Sequence, residues 1–174
     1  MKKIFALVLA LCMLTATCAF AAGSKSAGKG TVVTDTTEEA GEEGVSVVEL
    51  EDASEEALAL FENAEFPIKV FTEATELAVE AMIGEDGENL CLIEMNEFNI
   101  IAENYVGGDL DVELSYDEDF AQFKNVVSII KAGDEELPYL METNEEGNLT
   151  FTMPEEDVQK VLSAEDAFIA ILAD

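Results

Sequence analysis

The sequence predicts a mainly β protein: an antiparallel β-sandwich or partly open barrel with one or two short helices, and an α+β fold as second choice. The clearest pattern lies at residues 110–116, where Leu110, Val112, Leu114 and Tyr116 alternate with polar side chains. This period of two is typical of a strand with one buried face and one face in water. Other short apolar stretches follow at spacings of roughly ten residues, as in sandwiches and barrels.

Several further strands are predicted from the same kind of pattern. Residues 98–106 alternate and lead into Gly107 and Gly108, so this stretch and 110–116 are predicted to form a β-hairpin. The remaining predicted strands have apolar centres and are separated by polar turns: residues 126–131, 137–142, 149–153 and 167–172.

Two short helices are predicted at the margins of the strand-rich region. Asp52 followed by Glu55 resembles the N-cap and N3 residues of a capping box, which predicts a helix over residues 53–64. Pro154 suits a first helical position, and the three acidic residues after it suit the positive end of a helix dipole.

Residues 73–83 fit two structures. Glutamate and alanine prefer helices, and three glutamates of this segment fall on one helical face. Four apolar residues alternate instead as in a strand: Leu77, Val79, Ala81 and Ile83. The alternation favours, by a small margin, a strand that pairs with residues 89–95.

The N-terminus has the order of features found in a secretory signal peptide. Lys2 and Lys3 precede an uncharged stretch at 4–14 that is shorter than the roughly 20 residues of a membrane-spanning helix. Ala19 and Ala21 supply the small residues of a cleavage site, so we expect export and cleavage after Ala21.

Lipid attachment at Cys18 is the alternative route to the cell surface. Such a signal favours an aliphatic residue three places before the cysteine and a small one directly before it, whereas this chain has Thr15 and Thr17. Cleavage after Ala21 is therefore favoured, and the protein is expected to be secreted or associated with a bacterial cell surface.

Composition divides the rest of the chain into two parts. Residues 22–54 are poor in aromatic residues and rich in Gly, Ser, Thr and Glu, which predicts a flexible acidic linker. Within it, residues 31–34 and 45–50 have the composition of short strands. Residues 55–174 are predicted to form a single β-rich domain.

The composition excludes several classes of function. The chain has 39 acidic residues against 8 basic ones, a formal net charge of −31 and no histidine, and all its basic residues are lysine. Catalysis by Ser-His-Asp or Cys-His and imidazole metal sites are therefore excluded, as is a bidentate arginine clamp. So negative a chain repels nucleic acid and anionic membranes.

Cys91 remains as a single cysteine once the signal peptide is removed, so no internal disulfide can form. Its neighbours are Leu90 and Leu92, and no cationic residue lies near it in the sequence. This context favours a small buried hydrophobe over a reactive thiol.

Carboxylates offer one candidate metal site. Asp117, Glu118 and Asp119 directly follow the predicted strand 110–116 and are the candidate ligands for calcium, which takes about 6–8 oxygen ligands. A second set alternates along the strand itself: Asp109, Asp111 and Glu113. Because runs of charge are usually solvated faces, an acidic surface without a metal is the favoured interpretation of both sets.

The three tyrosines could contribute to a ligand surface, as aromatic residues often do. Tyr116 continues the apolar face of the predicted strand, which assigns it to the core. Tyr105 and Tyr139 remain the surface candidates.

The sequence therefore favours an exported, non-enzymatic binding or structural module without a cofactor. Its expected partner is an unidentified protein or a cationic ligand, with no nucleic acid and no membrane span. One alternative is a carboxylate-dependent hydrolase similar to glycosidases, which needs two opposed carboxylates of which one is desolvated. A calcium-stabilised extracellular module is the other alternative.

The charge balance predicts that salt stabilises the domain. Residues 55–174 carry 31 acidic residues and 4 lysines, a net charge of −27, so the folded chain repels itself. Raising the ionic strength from 0.01 M to 0.15 M shortens the Debye length from about 30 Å to about 8 Å, and the free energy of unfolding should rise. Urea unfolding across this range measures it.

Sulfate compared with chloride at equal ionic strength is the control, because sulfate also strengthens the burial of apolar surface. A free energy of unfolding that stays constant with chloride would show that the charges are compensated within the fold.

Overall fold

The computed structural model describes residues 32–35, 46–62, 64–84 and 87–174, so the predicted signal peptide at 1–21 lies outside the described residues. The strands are β1 (Val32–Asp35), β2 (Val48–Asp52), β3 (Cys91–Ile100), β4 (Leu110–Leu114), β5 (Val126–Ala132), β6 (Glu135–Leu140), β7 (Glu142–Thr143), β8 (Leu149–Met153) and β9 (Ala167–Ala173). The α-helices are α1 (Glu55–Glu62), α2 (Glu73–Ile83) and α3 (Glu155–Ser163).

These strands form two antiparallel sheets, and no closed barrel is present among the described residues. The four-stranded sheet has the order β1-β4-β8-β7, and the five-stranded sheet has the order β2-β3-β9-β5-β6. The prediction of a mainly β, antiparallel fold with short helices is confirmed. None of the described helices is long and apolar enough to cross a membrane.

The five-stranded sheet is covered on both faces because its central strands are apolar throughout. Six of the seven residues of β5 are buried, as are the last five of β9. Ile130 and Ile169 face a core shared with the four-stranded sheet, whereas Val127 and Ile129 face the helices α1 and α2. A strand buried on both faces needs no polar alternation, which explains the continuous apolar runs in the sequence.

The four-stranded sheet has one buried and one wet face, as the alternation predicts. Leu110, Val112 and Leu114 are at most 2% exposed and pack in the shared core. β8 pairs with β4 and places Leu149, Phe151 and Met153 in the same core. The intervening acids and threonines of these strands therefore lie on the outer face of this sheet.

The expectation of a strand at 73–83 is wrong, because this segment forms α2. The Thr72 hydroxyl caps the helix by accepting a hydrogen bond from the Thr75 N–H, and Gly84 ends it with a φ of 74°. Thr75 and Val79, four residues apart, face the core, while Leu77 is 58% exposed. The two caps and the preference of Glu and Ala for helices outweigh the short alternation.

The predicted hairpin of 98–106 with 110–116 is also wrong. β3 pairs with β2 and β9 in one sheet, and β4 pairs with β1 and β8 in the other. Alternation shows which face of a strand is buried, but it does not show which strand lies beside it. The residues between β3 and β4 therefore connect the two sheets.

The predicted linker at 22–54 contains β1 and β2, which confirms the short strands expected within it. β2 pairs along its whole length with β3, so the folded domain begins before residue 55. The cap of α1 also differs from the prediction: Ser54 Oγ accepts a hydrogen bond from the Ala57 N–H at 3.3 Å. Asp52, the predicted cap, is instead the last residue of β2.

The remaining predicted elements are found close to their expected positions. β5, β8, β9 and α3 match the predictions, but Pro154 is the N-cap of α3 and not its first helical residue. The strand predicted at 137–142 is interrupted at Met141, where the chain passes from β6 to β7. Cys91 is partly exposed at the first position of β3, so the expectation that it is buried is wrong.

One nearly buried carboxylate joins α2 to the five-stranded sheet. The Glu136 side chain is 5% exposed, and its Oε1 accepts a hydrogen bond from Lys131 Nζ at 3.0 Å. Its Oε2 accepts hydrogen bonds from the N–H and hydroxyl of Thr72, both at 2.9 Å, and from the Thr75 hydroxyl at 2.8 Å. Burial disfavours the charged form, but these hydrogen bonds outweigh it and lower the pKa of Glu136.

Replacement of this carboxylate, Glu136→Gln, should lower the free energy of unfolding by about 1.5–3 kcal/mol, because hydrogen bonds to a charged group are lost. The folded pKa lies below the unfolded one, so the stabilisation is complete above the unfolded value of about 4.3 and declines as the pH falls through the folded value. Urea unfolding of both proteins at a series of pH values measures the difference.

The matched control is Glu135→Gln, which removes the same charge from the neighbouring exposed residue. It should change stability by less than about 0.5 kcal/mol. A Glu136→Gln effect that does not shrink at acidic pH would show that the carboxylate acts through its shape and not through its charge.

Candidate functional site

A groove of about 410 Å³ lies on the outer face of the four-stranded sheet. It is lined by Asp111, Val112 and Glu113 of β4, by Thr150, Phe151 and Thr152 of β8, and by Leu140 and Glu142 where the chain passes from β6 to β7. The groove thus combines three carboxylates with two hydroxyl groups and a small apolar side. We refer to it below as the outer groove.

Strand register arranges the polar residues of the outer groove in two rows. In one row Glu113 lies opposite Thr150, which in turn lies opposite Glu142 on β7. In the other row Asp111 lies opposite Thr152. The rows are two residues apart along the strands, which corresponds to about 6.8 Å, and adjacent strands are about 4.8 Å apart.

Neutral donors hold two of the three carboxylates in place. Asp111 Oδ1 accepts a hydrogen bond from the Thr152 hydroxyl at 2.7 Å. Glu113 Oε1 accepts hydrogen bonds from the side-chain amides of Asn144 at 2.8 Å and Asn148 at 2.6 Å. These donors orient the carboxylates but bring no positive charge, so the groove stays anionic.

The turn between β7 and β8 positions the two asparagines. Asn144 Oδ1 accepts hydrogen bonds from the N–H groups of Glu146 and Asn148, both at 3.0 Å. Gly147 in this turn has a φ of 88°, a left-handed conformation that glycine adopts readily. The turn therefore closes compactly and leaves the amide of Asn144 free to reach Glu113.

No described lysine lines the outer groove or forms an ion pair with Asp111, Glu113 or Glu142. Lys131 binds Glu136 across β5 and β6, and Lys160 binds Asp157 within α3. The negative charge of the groove is thus left for a ligand or for solvent.

The structure places the predicted calcium ligands on a surface loop. Asp117, Glu118 and Asp119 are all exposed. Asp119 Oδ1 accepts a hydrogen bond from the Ala121 N–H at 3.1 Å, and Glu118 Oε1 accepts one from the Gln122 amide at 2.9 Å. These two side chains thus stabilise the short 3-10 helix Phe120–Gln122.

The second predicted set of acids is divided between two roles. Asp109 Oδ1 accepts a hydrogen bond from the Glu155 N–H at 3.0 Å, at the N-terminus of α3, whereas Asp111 and Glu113 line the outer groove. In the part of the chain that the structure describes, no three acidic or cysteine side chains are grouped as they would be around a metal ion. Calcium binding at the 117–119 loop stays a prediction.

The tyrosine hydroxyls make hydrogen bonds within the domain. Tyr105 donates to the carbonyl of Gly108, and Tyr139 donates to Asp157 Oδ2 at 2.9 Å. Tyr116 is packed against the shared core, and burial raises its pKa. Burial and the hydrogen bond to Asp157 likewise raise the pKa of Tyr139. The hydroxyl groups of Tyr105 and Tyr139 are thus engaged within the domain, and neither tyrosine lines the outer groove.

Sequence reasoning identified Asp111 and Glu113 as neighbours on one strand face, but it missed the other half of the groove. Thr150 and Thr152 alternate with apolar residues in 149–153, which was a usable signal of a second wet strand. That β8 lies beside β4, and that Glu142 completes a row, follows from the pairing of strands distant in sequence.

Comparison of the chain with protein-family models, with curated proteins and with solved structures found no match. The proposal of a function therefore rests on the geometry and charge of the described residues.

Calcium binding at the 117–119 loop predicts that the melting temperature rises when EDTA is replaced by excess calcium, because a ligand bound only by the folded state stabilises it. Asp119→Asn should abolish the rise, while Asp111→Asn in the outer groove should leave it intact. A melting temperature that calcium does not change contradicts a calcium site.

Proposed function

We propose that the protein is an exported, non-enzymatic binding module that takes a cationic ligand in the outer groove. The observation that carries the proposal is a concave surface with three carboxylates and, among the described residues, no lysine to neutralise them. Export is proposed from the Lys2-Lys3 start and the Ala19-x-Ala21 pattern.

The chemistry of the groove supports a ligand with amino groups. A primary ammonium group has three donors and no acceptor, and it matches carboxylate oxygens flanked by hydroxyl groups. Asp111 and Glu113 each have one oxygen already held by neutral donors, and the second oxygen of each forms no hydrogen bond with the described residues. Those oxygens are available to an ammonium group.

The arrangement of the carboxylates favours binding over hydrolysis. A glycosidase needs one desolvated carboxyl group and a second one opposed across the scissile bond. Glu142 is exposed, and Asp111 and Glu113 lie side by side on the same face of one strand. Such acids attract cations without the environment that a general acid needs.

Neutralising the groove with Asp111→Asn and Glu113→Gln together should weaken the binding of tetralysine about tenfold, since each exposed ion pair contributes up to about 1 kcal/mol. Both amides keep an oxygen that accepts the hydrogen bonds from Thr152, Asn144 and Asn148, so the fold is retained. Calorimetric titration at low ionic strength measures the dissociation constant.

The matched control is Glu49→Gln with Glu51→Gln on β2. These two glutamates are exposed and also two residues apart on one strand, but they lie on the other sheet, outside the groove. The control removes the same charge and should weaken binding by less than about twofold. Equal weakening by both double variants would show that tetralysine follows net charge alone and would contradict the proposal.

A further inference from the structure

We infer that the ligand of the outer groove is an extended segment of a partner protein with basic residues at alternate positions. This inference rests on the proposed function and specifies the chemistry and conformation of the ligand. The inference rests on the spacing of the two polar rows along β4, on the distance between the acids of β4 and β7, and on the charge of the groove.

The spacing of the rows matches that of an extended chain. Asp111 and Glu113 are two residues apart on β4 and point to the same side, so their side chains repeat at about 6.8 Å. A peptide in extended conformation presents its own residues i and i+2 at the same interval. Two basic residues separated by one other residue would therefore face both acids at once.

The width of the groove suits long basic side chains. Thr150 separates Glu113 from Glu142, and the backbones of β4 and β7 are two strand spacings apart, or about 9.6 Å. The short threonine side chains leave the space between the acids open. A lysine can lie over this row with its ammonium group near either glutamate.

The apolar side of the groove supports the same kind of ligand. Leu140 lines the groove and is 47% exposed, a high exposure for a large aliphatic side chain. The methylene stem of a lysine or arginine can cover such a surface while its charged end stays near the carboxylates. The next residue, Met141, is buried and donates its N–H to the Val126 carbonyl at 2.9 Å, which holds this side of the groove in place.

Charge complementarity identifies the partner as basic protein. The groove carries three carboxylates, so a nucleic acid or an anionic lipid headgroup is repelled from it. A free polyamine also carries positive charges, but it has no alternating side chains that would match the two rows of the groove. An extended basic segment satisfies the charge, the interval and the apolar contact together.

The test compares lysine peptides of equal length and equal charge that differ in the spacing of their lysines. In one, the lysines alternate with threonine and further threonines fill the two ends; in the second, the same lysines form one block flanked by the threonines. In the third, the lysines recur every fourth residue with alanine between them, a residue that favours a helix. Titration at low ionic strength gives the dissociation constants. The alternating peptide should bind about two- to fivefold more tightly than the others, the factor expected when one exposed ion pair is lost.

The double variant Asp111→Asn with Glu113→Gln should remove this preference, and Glu49→Gln with Glu51→Gln should preserve it. Tightest binding by the block peptide or by the helical peptide would overturn the inference of an extended ligand. If all peptides bind equally and the groove variant weakens all of them, the inference fails while the proposed function stands. Binding that is insensitive to the groove variant contradicts both.

Discussion

The structure depends on a five-stranded sheet that must be buried on both faces. Its central strands β5 and β9 carry almost no polar side chains, so water has to be excluded from each side. The four-stranded sheet covers one face, and α1 and α2 cover the other. Ser128 of β5 shows the strength of this constraint. It is fully buried, and its Oγ finds no hydrogen-bond partner among the described residues. The missing hydrogen bond costs about 1–3 kcal/mol, which the burial of apolar surface outweighs.

Two of the few lysines hold carboxylates that join a helix to the five-stranded sheet. Lys131 on β5 binds Glu136 on β6, which accepts hydrogen bonds from Thr72 and Thr75 at the start of α2. Lys160 binds Asp157 within α3, and Asp157 also accepts the hydrogen bond of Tyr139 from β6. In a chain with only eight basic residues, lysines placed at these junctions are not available elsewhere. The acids on the outer face of the four-stranded sheet therefore remain without cationic partners in the described part of the chain, which gives the outer groove its charge.

The sequence was a good guide to which residues are buried and a poor guide to which elements meet. The alternation at Leu110, Val112 and Leu114 correctly identified a half-buried strand, because burial acts on each side chain locally. It could not show that β4 pairs with β8 and not with β3, since pairing is decided by packing over the whole sheet. At 73–83 the alternation itself was misleading, because Leu77 is exposed on a helix whose boundaries are set by Thr72 and Gly84.

The sequence likewise does not show which distant residues meet at the candidate site, and this affects how an acidic surface should be interpreted. Composition alone favours a solvated face, and Asp109 and Asp119 do accept hydrogen bonds from N–H groups at the start of a helix. A solvated face, however, needs no fixed orientation of its carboxylates. Glu113 is held by two amides from a turn thirty or more residues away, and the arrangement adds order without adding positive charge. Within the described residues, the outer groove thus combines oriented carboxylates that have no cationic partner with an exposed leucine, and the proposed binding function rests on these features.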